Sequence, residues 1–306
     1  MKNNLPTILF ASLLQVLGIF IISFLILHLL PGDPIQVMLG ESAALSDQFK
    51  LRAELGLDQP IYKQIFSSIT KIMNGDFGNS ILTGVPIKEQ IIIAMKNTYI
   101  LALMALFIAI TFGITGGLVA AKYRDSFLDK IIINFSLFFI SIPHFFLGPL
   151  LMLCLSIWLG WLPISGMDST FSIILPALTL SLGMLAIIVK MTRNCMIEII
   201  DSDAVRTARA KGMQEWSIMI NHVFRLILIP LITIIGMQFG SLLSGAIITE
   251  TLFSWNGLGM LLVNSIQMRD YPITQACIFV IAISYVLVNL LTEILYKIVD
   301  PRMRGI

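Results

Sequence analysis

Ser202-Asp203-Ala204-Val205-Arg206-Thr207-Ala208-Arg209-Ala210-Lys211-Gly212 is a polar insert between two apolar runs, each long enough to cross a lipid bilayer. Ser202 or Asp203 supplies an N-cap and Gly212 a left-handed stop, so the stretch predicts a helix of about two to three turns. Ala204, Val205 and Ala208 fall together at helical spacing while Arg206 and Arg209 fall on another face, which leaves the small apolar side free to meet a partner. A second helical pattern, Trp216, Met219, Ile220, Val223 and Ile227, runs into the apolar segment that starts at Leu226. Taken alone, two short helices around a glycine also suit a solvated basic loop or a DNA-binding helix-turn-helix. Membrane-length runs on both sides argue against nucleic acid as a partner.

Hydrophobic residues make up 57% of the chain and charged residues 12%, against about 25% charged in soluble domains. Six uncharged runs follow from the charge positions: 3–32, 97–121, 131–167, 169–189, 226–249 and 271–292. Each is long enough to span, since a bilayer core needs about 20 apolar residues. In the second run, the Leu, Ile, Val and Phe residues between Ile100 and Val119 together favour insertion by roughly 3 to 7 kcal/mol at most. These runs predict an all-α integral membrane protein with six transmembrane helices.

Thirteen Lys and Arg collect on one side: Lys2, Lys122, Arg124, Lys130, Lys190, Arg193, Arg206, Arg209, Lys211, Arg225, Lys297, Arg302 and Arg304. The opposite short loops hold only Arg269. By the positive-inside rule the basic side and both termini are cytoplasmic. The first run, Ile8 to Leu30, is too long for a cleaved signal peptide and lacks a small-residue cleavage pattern, so it is expected to stay as a helix.

Residues 1–30 are thus read as the N-terminus and first span, 31–96 as an external segment, 97–300 as a five-helix core that includes the loop 196–225, and 301–306 as a cytoplasmic tail. Leu30-Pro31-Gly32-Asp33-Pro34 stops the first helix. In the external segment, patterns over Ser46 to Leu55 and Pro60 to Met73, closed by Gly56 and Gly75, predict short amphipathic helices over the outer membrane face. The second span is expected to open at Asn97-Thr98. Pro143 within the third bends it, which lipid tolerates only beside protein or a wet cavity. Glu250 and Glu293 border the membrane and face an interface or protein.

Arg206-Thr207-Ala208, three residues, then Gly212 resembles the cytoplasmic Glu-Ala-Ala, three residues, Gly loop of importer permeases of the ATP-binding-cassette (ABC) superfamily. The string Val205 to Gly212, followed by His222 and Pro230, resembles the dipeptide/oligopeptide/nickel permease family more closely. So do Leu55-Gly56-Leu57-Asp58-Gln59-Pro60, Gly75-Asp76-Phe77-Gly78-Asn79-Ser80, the stretch Ser141 to Pro149, and Phe253 to Gly259 with Asp270-Tyr271-Pro272. The resemblance covers essentially the whole chain. Departures are Asn256 for the family's proline, Leu226-Ile227 for its Asn-Ala, and Arg225 for the superfamily's Pro.

The resemblance implies a type I ABC importer permease fold in a bacterial inner membrane. Asp203 to Gly212 would form the coupling helix that seats in a groove of an ATPase subunit. Implied partners are two such ATPases, which carry the ATP and Mg, a second homologous permease, and an extracytoplasmic substrate-binding protein. No cofactor or metal is assigned to this chain. Cys154, Cys195 and Cys277 have no metal-ligand or disulfide spacing, and neither a Gly-x4-Gly-Lys phosphate loop nor a convincing catalytic set occurs.

Candidate pathway residues are Asn97, Thr98, Ser141, Pro143, His144 and Gln238, mostly neutral polar groups suited to varied peptide-like ligands. Bare Ni2+ favours clustered imidazoles, and His28, His144 and His222 fall near the outer face, inside the third span and in the cytoplasmic loop. Peptide is therefore preferred as the substrate, with nickel chelates left open by the family. The rivals from other classes are a self-contained secondary transporter or channel, and a membrane scaffold or sensor. An inverted internal repeat would favour the transporter, and none is evident.

Overall fold

The computed structural model describes residues 5–29, 35, 39, 44–54, 56–218 and 223–299, and it is helical throughout, with no strand among those residues. The helices are α1 Leu5–Leu29, α2 Leu45–Glu54, α3 Ile61–Met73, α4 Ile87–Lys122, α5 Phe127–Ser141 and α6 His144–Leu151, which runs into a π-helical turn over Met152–Trp158. After a 3-10 turn at Thr170–Ile173 come α7 Ile174–Ile200, α8 Asp203–Ala210, α9 Glu215–Ile218, α10 Arg225–Leu252, α11 Leu258–Gln267 and α12 Tyr271–Val299. Lys2, Leu30 to Pro34, Met219 to His222 and the tail from Asp300 to Ile306 lie outside the described residues, as do the side chains of His28, His144, Trp216, Arg225 and Lys297.

Among the described residues three helices, α4, α7 with its 3-10 lead-in, and α12, are long and apolar enough to cross a bilayer, and the total reaches five if α5 with α6, and the two halves of α10, each count as one broken span. The remaining expected span falls on α1, a helix of 25 residues.

Two sequence expectations are corrected. The helix that carries the second span opens at Ile87, ten residues before Asn97. Lys88, Glu89, Gln90 and Lys96 are good helix formers and no breaker follows Pro86, so the helix continues through the polar residues. The third span is interrupted rather than bent at Pro143. Ile142 (φ −95°, ψ 122°) and Pro143 (φ −61°, ψ 142°) are both extended, and Pro143 stands ahead of α6 instead of inside a helix. A residue before proline is pushed out of the α region, which ends α5 at Ser141. Pro149 and Pro230 do lie inside helices, beyond the first turn.

The chain divides into two compact units, residues 1–98 with 256–286 and residues 99–255 with 287–306. In the first, Phe20 packs edge-on to Phe279 at 6.0 Å. Asp270, buried ahead of α12, accepts from the Ser80 hydroxyl at 2.5 Å and thereby ties the segment after α3 to the start of the last helix. In the second unit the core is built from Leu101, Ala105 and Ala109 of α4, Leu180, Met184 and Ile188 of α7, and Ile227 and Leu231 of α10.

Two α4 glycines set the helix spacing in that core. A Cβ on Gly113 would stand 2.8 Å from Ile188, and one on Gly117 2.5 Å from Thr192. This Gly-x3-Gly pair lets the backbones of α4 and α7 approach, the usual means of helix association in lipid, where burial of apolar surface supplies no drive.

Candidate functional site

The polar insert folds as the sequence suggests and then faces the other way. Ser202 is extended (φ −71°, ψ 154°) and α8 begins at Asp203. Its end is a Schellman motif: Gly212 takes φ +76°, its N–H donates to the Arg209 carbonyl at 2.9 Å, and Met213 N–H donates to the Ala208 carbonyl at 3.3 Å. A Cβ on Gly212 would meet nothing within 4 Å, so the glycine is required by its backbone angle and not by a close neighbour.

Val205 and Ala208 are buried in the core of their own unit, which corrects the expectation that the apolar face of this helix is free. The physical reason is that a helix of eight residues has little other means of holding its position than to bury its one apolar stripe against the chain that carries it. Ala204 belongs to the opposite set. With Thr207 and Ala210 at three-residue spacing it forms an exposed stripe of small side chains, bordered by Asp203, Arg206, Arg209 and Lys211. Thr207 turns its hydroxyl back to the Asp203 carbonyl at 2.8 Å. Asp203 and Arg206 approach only to 3.9 Å and are largely solvated, a pairing of little energetic weight.

Behind α8 lies an ion-pair system that periodicity did not reveal. Arg193 of α7 grips Asp129 of α5 through two parallel bonds of 2.6 Å each, and the carboxylate also accepts from Asp125 N–H at 2.9 Å. Asp129 is almost fully buried. Arg124, in the same turn, reaches Asp201 at 3.4 Å, two residues before α8. The α4–α5 turn is therefore fastened to both the end of α7 and the approach to α8. The sequence signal was available only as a lone Asp and a lone Arg 64 positions apart.

Of the proposed pathway residues, the structure brings Gln238 to the helix break. A cavity of about 130 Å3 is lined by Gln238 with Ile140 of α5, Ile142 of the break, Gly183 and Met184 of α7, and Gly245. Ser141, the last residue of α5, is exposed and donates to the Leu137 carbonyl at 2.9 Å. Pro143 lies in the break, and the α6 backbone begins at His144. Asn97 and Thr98 are not at this cavity. Asn97 Nδ2 donates to the Asn256 carbonyl at 2.7 Å, and the buried Thr98 hydroxyl accepts from Leu258 N–H at 2.8 Å, capping α11. They brace the Trp255 to Leu258 turn, where Asn256 replaces a stiffening proline.

The sequence profile of the family described as binding-protein-dependent transport system inner membrane component matches residues 113–305, and its N-terminal companion profile matches residues 5–84. This chain belongs to that family. Among its relatives is the glutathione transport system permease protein GsiC of Salmonella choleraesuis (strain SC-B67), 38% identical over 300 residues, which are 98% of this chain and 95% of the relative. GsiC of Escherichia coli (strain K12) is 39% identical over 289 residues, 94% of each chain. In solved structures, the fold is shared with the inward-facing MetNI methionine ABC transporter (TM-score 0.58, 16% identity, 69% of this chain and 96% of that one). An amino acid ABC transporter with histidines gives a TM-score of 0.52 at 16% identity, over 68% of this chain and 94% of that one. The permease is accordingly a multi-pass membrane subunit of an ABC importer, with the type I permease fold.

Proposed function

We propose that this permease forms half of the translocation path for short peptides, with tripeptides of the glutathione kind foremost. The observation that supports this reading is the near full-length likeness to glutathione permeases at 38% identity. The cavity at the helix break agrees with it: among the described residues its polar side chain is the neutral amide of Gln238, which can donate to or accept from a peptide group without holding it as a charge would. In this reading six helices span the inner membrane with both termini in the cytoplasm. A second homologous permease completes the path, and an extracytoplasmic binding protein delivers substrate. Two ATPase subunits bind ATP and Mg, and their closure is received by the exposed Ala204, Thr207 and Ala210 stripe of α8. Arg124 and Asp201 then carry the motion to the α4–α5 turn, and the Ile142–Pro143 break is where the path opens.

Reconstitution of the complete transporter with its binding protein tests the proposal. ATP-dependent uptake of labelled glutathione and of di- and oligopeptides is expected, with no uptake of chelator-free nickel. Nickel uptake without peptide uptake would overturn it.

A further inference from the structure

We propose that α1, α3 and α12 form a binding site for one zwitterionic phospholipid, with an acyl chain in an apolar groove and the headgroup in an adjoining polar cavity. The groove, about 310 Å3, is lined by Leu13, Val16 and Phe20 of α1, Ile72 of α3, and Phe279 and Ile283 of α12. The cavity, about 470 Å3, brings Gln64, Ser68, Lys71, Asp76, Asn79 and Gln275 together beside apolar groups such as Phe24 and Phe77, and is lined again by Ile72. Ile72 thus divides an apolar compartment from a polar one.

The helix on which it lies is built to straddle them. Ile61, Tyr62, Ile65, Phe66, Ile69, Ile72 and Met73 share one side of α3, while Lys63, Gln64, Ser67, Ser68, Thr70 and Lys71 take the other. None of its side chains is buried: Ile65, Ile69 and Ile72 are half-buried, and Tyr62, Phe66 and Met73 of the apolar side are exposed. An amphipathic helix of this kind lies at a bilayer interface.

Depth and lining identify the apolar occupant. Ile283 is twelve residues beyond Tyr271 in α12, roughly 18 Å along the helix axis, which places the groove within the hydrocarbon core of about 30 Å. A groove lined almost wholly by apolar side chains at that depth suits a hydrocarbon chain.

Charge identifies the headgroup. Lys71 and Asp76 are the charged residues lining the polar cavity among the described residues, and no ion pair joins them there. Asp76 accepts from Gly78 N–H at 2.9 Å and remains exposed. An ammonium for the phosphate and a carboxylate for the headgroup amine match a zwitterion, whereas a purely anionic headgroup meets the repulsion of Asp76.

The test uses the assembled transporter in nanodiscs of equal phosphatidylethanolamine and phosphatidylglycerol, followed by detergent delipidation and native mass spectrometry. About one phosphatidylethanolamine is expected to persist per copy of this permease, at least fivefold over phosphatidylglycerol. Val16→Trp fills the groove and should lower retention at least fivefold, and Lys71→Glu should abolish the headgroup preference. Equal retention of the two lipids, or retention unchanged by Val16→Trp, would overturn the site. If Val16→Trp does not assemble, phosphatidylethanolamine bearing a diazirine on its acyl chain decides the matter in the unaltered protein. Crosslinks concentrated on the peptides holding Met73 and Ile283 support the site, and an even spread over all lipid-facing helices refutes it.

Discussion

Removing one partner of the Asp129–Arg193 pair is the most informative perturbation of the fold that carries the proposed coupling helix. The bond is bidentate and short at 2.6 Å, with Asp129's side chain 4% exposed and Arg193's 21%. Leaving one charge buried and unpaired costs about 3 to 5 kcal/mol. Arg193→Met leaves the buried Asp129 carboxylate with only the Asp125 N–H and should fall within that range. Asp129→Leu leaves an arginine that keeps some access to solvent and should fall toward its lower end. These are large fractions of a typical total stability of about 5 to 15 kcal/mol. The double variant removes both charges at once and places apolar groups face to face, so it should be more stable than either single one. A double-mutant cycle read from SDS-driven unfolding in mixed micelles is expected to return a coupling energy of at least about 2 kcal/mol. Single-variant losses that simply add, within about 0.5 kcal/mol, would refute the claim that the pair is a desolvated unit.

Thr207→Trp and Ala208→Trp should separate coupling from folding. The first adds bulk on the exposed stripe and should preserve expression and thermal midpoint while abolishing substrate-stimulated ATP hydrolysis; the second overfills the core and should lower the yield of folded protein. Gly117→Leu, in a position where even a Cβ stands 2.5 Å from Thr192, should destabilise by about 1 to 3 kcal/mol or more, while Gly116→Ala, at 3.3 Å from Val189 Cγ2, should cost clearly less in the same unfolding assay. Reporter fusions should give cytoplasmic signals at Arg124, Lys211 and Arg304 and extracytoplasmic signals at Asp76 and Asn256, and a cytoplasmic signal at Asp76 would contradict the proposed topology.

The sequence by itself determined what depends on local chemistry and period. Apolar runs, the Gly212 stop of α8 and the amphipathic pattern of α3 were legible because capping, hydropathy and helical spacing act over a few residues. The family was legible for the same reason, since its motifs are contiguous strings. Only the tertiary structure decided which side of each helix is spent on the protein's own core. Val205 and Ala208 are apolar in either reading, and nothing short of the packed neighbours α4, α7 and α10 says that they face inward while Ala204, Thr207 and Ala210 face out. Asn97 and Thr98 look like the polar mouth of a path, yet their hydrogen-bond partners at Asn256 and Leu258 lie about 160 residues away. The Asp129–Arg193 pair and the Gly113 and Gly117 approach to α7 have the same origin. Each is a contact between residues far apart in the chain, and such contacts leave no period in the sequence for a reader to find.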